Sequence, residues 1–210
     1  MQSQIIKHGC SGMFSDELDK MGFRSQVIDG LLLNNPYKKF YGRVRTIQLE
    51  TIETSDENIA KGLGFLETFL PGEILCVEGS SEFAYFGELM SRIAIRQKLG
   101  GVIIGGLTRD SAFTQNLIDL LIFAEGYSPR DIKGRGRVKA TDIKIKIKEV
   151  QISPGDWAFG DKDGIVIIPG PQRCEVEKRV IKTINDEVDI MKAIDSGLGI
   201  KEILKKHKEF

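Results

Sequence analysis

The residues of this chain best suited to chemistry are Glu88, Arg109 and Asp110. They occur as Phe86-Gly87-Glu88-Leu89-Met90, followed by a helix-like run, an apolar strand and Arg109-Asp110. Leu89, Met90, Ile93 and Ala94 have helical spacing over residues 89–98, and Gly101-Val102-Ile103-Ile104 reads as a short buried strand ended by Gly105-Gly106. A helix starting near Glu88 leaves its first N–H groups without intrahelical acceptors, so Gly87, Glu88, Leu89 and Met90 form a cradle for an anion. A loop leaving the strand then carries Arg109 and Asp110 over that cradle. Two carboxylates, a guanidinium and a helix N-terminus suit a small carboxylate substrate beside a hard metal ion, because such ions take oxygen ligands and keep several waters.

Each of these residues also has a simpler reading. An Arg-Asp pair after a strand commonly forms a loop salt bridge, and Glu88 is a favourable first-turn acid against the helix dipole. Ser128-Pro129-Arg130-Asp131 and Gly134-Arg135-Gly136-Arg137 suit either a phosphate or distal carboxylate, or a structural turn. The Arg-Gly alternation is too short to resemble an RNA-binding tail. His8 and His207 lie near opposite ends and form no ligand cluster, while Trp157 and the cysteines read as core residues. The chain has no Ser-His-Asp or Cys-His arrangement and no phosphate-binding P-loop.

Composition narrows the partners. At 210 residues the chain suits one domain with a substantial core. Thirty basic residues balance thirty acidic ones, so no global field points to nucleic acid or an anionic membrane. Cys10, Cys76 and Cys174 are odd in number and widely spaced, which argues against a disulfide framework and for a reducing cytoplasm. No run approaches about 18 apolar residues and the amino terminus has no leader pattern, so a soluble protein without a membrane partner is expected.

The elements that must position the site alternate in the first half. Ser15-Asp16-Glu17-Leu18-Asp19-Lys20-Met21-Gly22 reads as a helix capped by Ser15 and closed by glycine. Residues 44–50 alternate as a strand, residues 56–69 read as a helix, and Pro71-Gly72 turns into the strand Ile74-Leu75-Cys76-Val77. The second half changes character. Ile143, Ile145 and Ile147 alternate with lysines, and Val150 and Ile152 continue the apolar series after a slip of register that predicts a bulge. Pro154-Gly155-Asp156 turns into Trp157-Ala158-Phe159, and Asp161-Lys162-Asp163-Gly164 predicts a hairpin before Ile165-Val166-Ile167-Ile168. Val176, Val180, Ile184, Val188 and Met191 predict a helix over residues 172–194, with a shorter one around Ile203 and Leu204.

Taken in order, these blocks resemble the RraA-like family, which includes the metal-dependent 4-hydroxy-4-methyl-2-oxoglutarate / 4-carboxy-4-hydroxy-2-oxoadipate aldolases and the regulators of ribonuclease activity. The carrying motifs are Ser15 to Gly22, Pro71-Gly72-Glu73-Ile74-Leu75, Phe86 to Met90, Gly101 to Ile104 with Arg109-Asp110, Ala124-Glu125-Gly126 with Ser128 to Asp131, and Pro154-Gly155-Asp156 with Asp161 to Gly164. Aldolase-type members place an acid, twenty positions and then Arg-Asp, the spacing of Glu88 and Arg109 here. The resemblance implies an α/β fold of the three-layer swivelling β/β/α type with mixed sheets and C-terminal helices. Residues 1–170 would form the β/β/α domain and residues 171–210 a helical extension packing on it or on a neighbouring subunit. It implies a homo-oligomer, a trimer or dimer of trimers, with sites between subunits. It also implies that Asp110 binds Mg2+ or Mn2+, Arg109 contacts the pyruvoyl part of a 2-oxo acid, Glu88 orders metal-bound water and Glu187 enters from a neighbouring subunit. Two departures bear on substrate preference: Gly105 and Phe113 stand where the family commonly has acids.

The implied chemistry fits the residues. Cleaving a 4-hydroxy-2-oxo acid, or decarboxylating oxaloacetate, leaves a pyruvate enolate whose charge needs a Lewis acid and a fixed donor. The expectation is a divalent-metal-dependent, class II pyruvate-forming lyase. The alternative is a non-catalytic ring that regulates a ribonuclease or another protein, and retention of Asp110 favours the enzyme.

Overall fold

A computed structural model describes residues 2–52 and 59–206. In chain order, helices α1 (Gln2–His8) and α2 (Ser11–Lys20) precede strands β1 (Val27–Ile28), β2 (Leu32–Leu33) and the long β3 (Phe40–Thr51). Then follow α3 (Ile59–Leu66), β4 (Ile74–Glu78), β5 (Ala84–Phe86), α4 (Glu88–Arg96), β6 (Gly101–Thr108) and the single turn α5 (Ser111–Thr114). The second half contains β7 (Ile122–Tyr127), β8 (Gly136–Thr141), β9 (Ile145–Ile147), β10 (Val150–Ile152), β11 (Trp157–Asp161) and β12 (Gly164–Ile168), and ends in α6 (Arg173–Asp195) and α7 (Ile200–Lys206). Residues 56–58 of the expected helix before Pro71 lie outside the described residues.

Among the described residues one mixed sheet runs β1-β12-β11-β3-β4-β6-β7-β2, with β8 on β3 and β5 on β6. The length of β3 makes this possible. Residues 40–43 pair antiparallel with β11, residues 44–48 pair parallel with β4, and residues 47–51 pair antiparallel with β8. Strands β4, β6 and β7 are parallel neighbours buried on both faces, which is why they read as continuous apolar runs. Leu75, Val77, Val102, Ile104 and Ile122 enter a core covered by Phe65 and Leu66 of α3 and Ala94 of α4. On the opposite face, Ile74, Cys76, Ile103 and Phe123 meet Ile145, Ile147, Val150 and Ile152 together with Ala158, Ile165 and Ile167. A third core joins Phe159, Val166 and Ile168 to Ile5 of α1, Phe14 and Leu18 of α2, and Val176, Val180 and Ile184 of α6. The fold is therefore the expected mixed α/β architecture with C-terminal helices.

Three local expectations are corrected. Ser15 lies inside α2, which begins at Ser11 and is capped from across the molecule: Asp161 accepts both the backbone N–H and the hydroxyl of Ser11 at 2.8 Å each. Gly22, with φ +88°, does end that helix as expected. Gly105-Gly106 does not end β6, which continues to Thr108. Each glycine weakens a strand by about 0.5–1 kcal/mol, whereas burial of Val102, Ile103 and Ile104 is worth about 1.5–3 kcal/mol apiece, so the strand persists through them. Finally, the slip after Ile147 is a hairpin rather than a bulge. Ile147 pairs with Val150, and Lys148 takes a left-handed φ of +49° in the turn. The hairpin puts both apolar pairs on the same buried face.

Candidate active site

Strands β5 and β6 run parallel, with Ala84 opposite Leu107 and Phe86 opposite Thr108, so their C-terminal ends lie side by side. Ligands commonly bind at such ends in α/β sheets. The chain leaves β5 through Gly87 into α4 and leaves β6 through Arg109-Asp110 into α5. The carbonyl of Phe86 ties the two exits together by accepting the Arg109 N–H at 2.9 Å and the Thr108 hydroxyl at 2.5 Å.

Asp110 adopts a left-handed backbone, φ 56° and ψ 48°, which costs a non-glycine residue about 1–2 kcal/mol. Its carbonyl accepts the N–H groups of Phe113 and Thr114 at 2.9 Å each, so the turn of α5 holds that conformation. The consequence is directional: the carboxylate does not cap its own helix but reaches α4, where Oδ2 accepts the Glu88 N–H at 2.8 Å. Gly87 permits this approach. A Cβ there would lie 2.4 Å from Asp110 Oδ2 and 2.8 Å from Arg109 Cγ.

Arg109 places Nε 3.7 Å from Asp110 Oδ2 and Nη1 2.9 Å from Asp131 Oδ2. The segment bearing Asp131 is fixed beside β5 by hydrogen bonds from Ala84 N–H to the Arg130 carbonyl, 2.8 Å, and from Ile132 N–H to the Ala84 carbonyl, 3.1 Å. Gly87, Leu89, Met90, Arg109, Asp110 and Asp131 line a cavity of about 210 Å3 together with Leu63, Tyr85, Ile132, Gly136, Arg137 and Val138. Arg137 donates from Nε to Glu50 Oε1 at 2.6 Å. The Tyr85 hydroxyl is buried with no hydrogen-bond partner among the described residues, and burial pushes its pKa up, so it stays neutral.

The sequence-derived set is thus partly assembled. Gly87, Leu89, Met90, Arg109 and Asp110 converge on one cavity. Glu88 contributes its N–H, but its carboxylate turns along α4 to Arg92, whose Nε and Nη2 lie 2.9 and 2.7 Å from Oε1. Arg92 in turn sits 4.7 Å above the centroid of Phe113. Glu187 is exposed on α6, a helix that packs on α1 and α2, and it does not line the cavity of its own chain. Arg130 and Arg135 line a separate depression with Thr51 and Glu82, and Arg135 donates to the Asp131 carbonyl at 3.2 Å, which is the role of a turn residue. Asp131 was missed as the partner of Arg109, although it stands in a motif already noted. Tyr85 was missed because its position in a short apolar strand carries no signal.

The donor set bears on the expected metal. Among the described residues no group of three or more His, Cys, Asp or Glu side chains forms a cage. Asp110 Oδ1 makes no hydrogen bond there while Oδ2 is anchored. One open carboxylate oxygen beside a solvent-accessible cavity fits a hard cation that keeps most of its waters. No helix is long and apolar enough to cross a membrane among the described residues.

Comparison with known proteins gives this site a context. The chain is 29% identical to the 4-hydroxy-4-methyl-2-oxoglutarate aldolase of Thermus thermophilus over 147 residues, covering 68% of this chain and 87% of that one. An uncharacterised protein from Pseudomonas syringae pv. tomato has the same fold, with a TM-score of 0.83 at 22% identity, covering 96% and 95% of the two chains. Streptomyces coelicolor RraAS2, described as an unusual member of the RNase ES inhibitor RraA protein family, gives a TM-score of 0.75 at 22% identity over 89% and 93%. The model of the RraA-like family, described as Aldolase/RraA, matches residues 12–167, and the chain belongs to that family.

Proposed function

We propose that this protein is a divalent-metal-dependent, class II lyase that forms pyruvate by retro-aldol cleavage of a 4-hydroxy-2-oxo acid, with oxaloacetate decarboxylation as a related activity of the same site. The observation that carries the reading is the convergence of the Arg109 guanidinium and the Asp110 carboxylate on the N-terminus of α4. The similarity to the Thermus thermophilus aldolase supports it.

In the reaction the 4-hydroxyl loses its proton, the C3–C4 bond breaks, C4 becomes a carbonyl carbon, and the electron pair passes to the pyruvate enolate, which is protonated at C3. Asp110 would hold Mg2+ or Mn2+ through Oδ1, and when bound that ion supplies Lewis-acid stabilisation of the enolate charge. Arg109, kept in place by Asp131, presents forked donors to the substrate carboxylate or the developing enolate oxygen. The Leu89 and Met90 N–H groups, in the first turn of α4, complete the carboxylate cradle. Glu88 and, from a neighbouring copy in a ring-shaped homo-oligomer, Glu187 would orient water around the site.

The deciding experiment is a pyruvate-release assay over a panel of 2-oxo acids. Pyruvate should form with Mg2+ or Mn2+ and cease with a chelator. Full turnover by metal-stripped protein would refute metal dependence. No release from any substrate would return the reading to a non-catalytic regulator. A structure of the oligomer with Glu187 more than about 10 Å from every Asp110 would remove that residue, since neither a direct nor a single-water bond spans such a gap.

A further inference from the structure

Retro-aldol cleavage needs an acceptor for the proton of the 4-hydroxyl, and few groups in the cavity can serve. Among the described residues that line it, the ionisable side chains are Tyr85, Arg109, Asp110, Asp131 and Arg137. The arginines are donors only. The Tyr85 hydroxyl is buried and neutral. Asp110 is anchored through Oδ2 to the Glu88 N–H, and its Oδ1 is the oxygen assigned to the cation. Asp131 is left. Its Oδ2 lies 2.9 Å from Arg109 Nη1, while its Oδ1 accepts no hydrogen bond among the described residues. The carboxylate is partly exposed, and its backbone is fixed by the bridge between Asp131 and Ala84, so it is both reachable and placed.

We infer that Asp131 is the general base of the retro-aldol step, taking the 4-hydroxyl proton on Oδ1 while Oδ2 stays paired with Arg109. The inference rests on the lyase reading above and assigns the proton transfer of the same site. As the proton passes to Asp131, the O–H electron pair becomes the new C4 carbonyl bond. The C3–C4 pair passes to the enolate, which takes a proton from water at C3, and Asp131 returns its own proton to water. Arg109 links the two ends of this step. It faces the carboxylate or enolate oxygen of the substrate and also holds Asp131, and in a 4-hydroxy-2-oxo acid only C3 separates the carbons that bear the two oxygens. An arginine that holds the first oxygen therefore brings the 4-hydroxyl toward Asp131, within the reach of about 2.6–3.2 Å that proton transfer requires.

The test uses two reactions that share the enolate but differ in this proton. 4-Hydroxy-4-methyl-2-oxoglutarate must lose its hydroxyl proton to cleave into two molecules of pyruvate, whereas oxaloacetate loses CO2 with no hydroxyl to deprotonate. Asp131→Asn keeps the size of the side chain and an amide oxygen for Arg109. Its kcat for cleavage should fall about 10²-fold or more, the scale of a general base, and decarboxylation should fall far less, so the ratio of the two drops about 10²-fold. Asp131→Ala should shift the ratio in the same direction and serves where the asparagine variant is unstable. A residue that only steadies Arg109 would lower both reactions together, because Arg109 serves the enolate in each. An unchanged ratio in a folded variant therefore overturns the inference and leaves the proton to metal-ordered water. Mn2+ affinity should stay near the parental value; a fall as large as that of Asp110→Asn would make Asp131 a metal ligand and overturn it too. Wild-type decarboxylation without any cleavage removes the base and keeps the decarboxylase, whereas no pyruvate from either substrate removes the lyase reading together with it.

Discussion

Oδ2 of Asp110 accepts the backbone N–H of Glu88 at 2.8 Å, joining the exits of two parallel strands. The bond fixes which parts of the anion cradle remain open. A carboxylate at a helix N-terminus contributes about 0.3–1 kcal/mol through the dipole, enough to offset part of the cost of the left-handed backbone at Asp110. With the Glu88 N–H occupied, an incoming carboxylate has the Leu89 and Met90 N–H groups and Arg109 to meet it. The second oxygen of Asp110 is left for a cation.

Gly87→Ala should separate geometry from stability. Its backbone is extended, φ −145° and ψ −158°, so alanine adopts it without strain, and the obstacle is the Cβ against Asp110 Oδ2 and Arg109 Cγ. Both obstacles are side-chain atoms that can move. The variant should keep a Tm close to the parent while pyruvate formation falls by about 10²-fold, the scale of an ångström-sized misplacement. Near-parental turnover in a folded variant would contradict this placement.

Tyr85→Phe should not destabilise the protein. The Tyr85 hydroxyl is buried without a partner among the described residues, and such a group costs about 1–3 kcal/mol. Removing it should leave the denaturation midpoint unchanged or raise it. A clear fall in urea-unfolding stability would mean that the hydroxyl is hydrogen-bonded in solution.

Much of this site was legible because its signals are local. The helical spacing of Leu89, Met90, Ile93 and Ala94 and the apolar run from Gly101 to Ile104 are enough to bring Gly87 near Arg109-Asp110, and α4 and β6 lie there. What stayed hidden depends on tertiary pairing. Asp161 caps α2 from a strand 150 residues away in sequence, so the local candidate Ser15 was the wrong cap. Asp131 meets Arg109 only because its segment lies beside β5. The Arg92 contact of Glu88 was readable as an i,i+4 pair, and it competes with the role assigned to Glu88.

The last prediction concerns Arg109 and Asp110 as a pair whose losses differ in kind. Asp110→Asn keeps the size of the side chain but removes the charge, so metal affinity should fall, with partial recovery of activity at high metal. Asparagine can keep the bond to the Glu88 N–H only by presenting its amide oxygen there, which turns the amide nitrogen, a donor, toward the metal position. Arg109→Lys keeps a cation near Asp131 but loses the planar fork, so metal binding should survive while kcat falls by about 10²-fold or more, as when one transition-state donor is removed. Titration of Mn2+ binding alongside pyruvate release distinguishes the two. If both variants retain near-parental turnover on the best substrate, Arg109 and Asp110 form a loop salt bridge only, and the cavity belongs to a partner-binding protein rather than to a lyase.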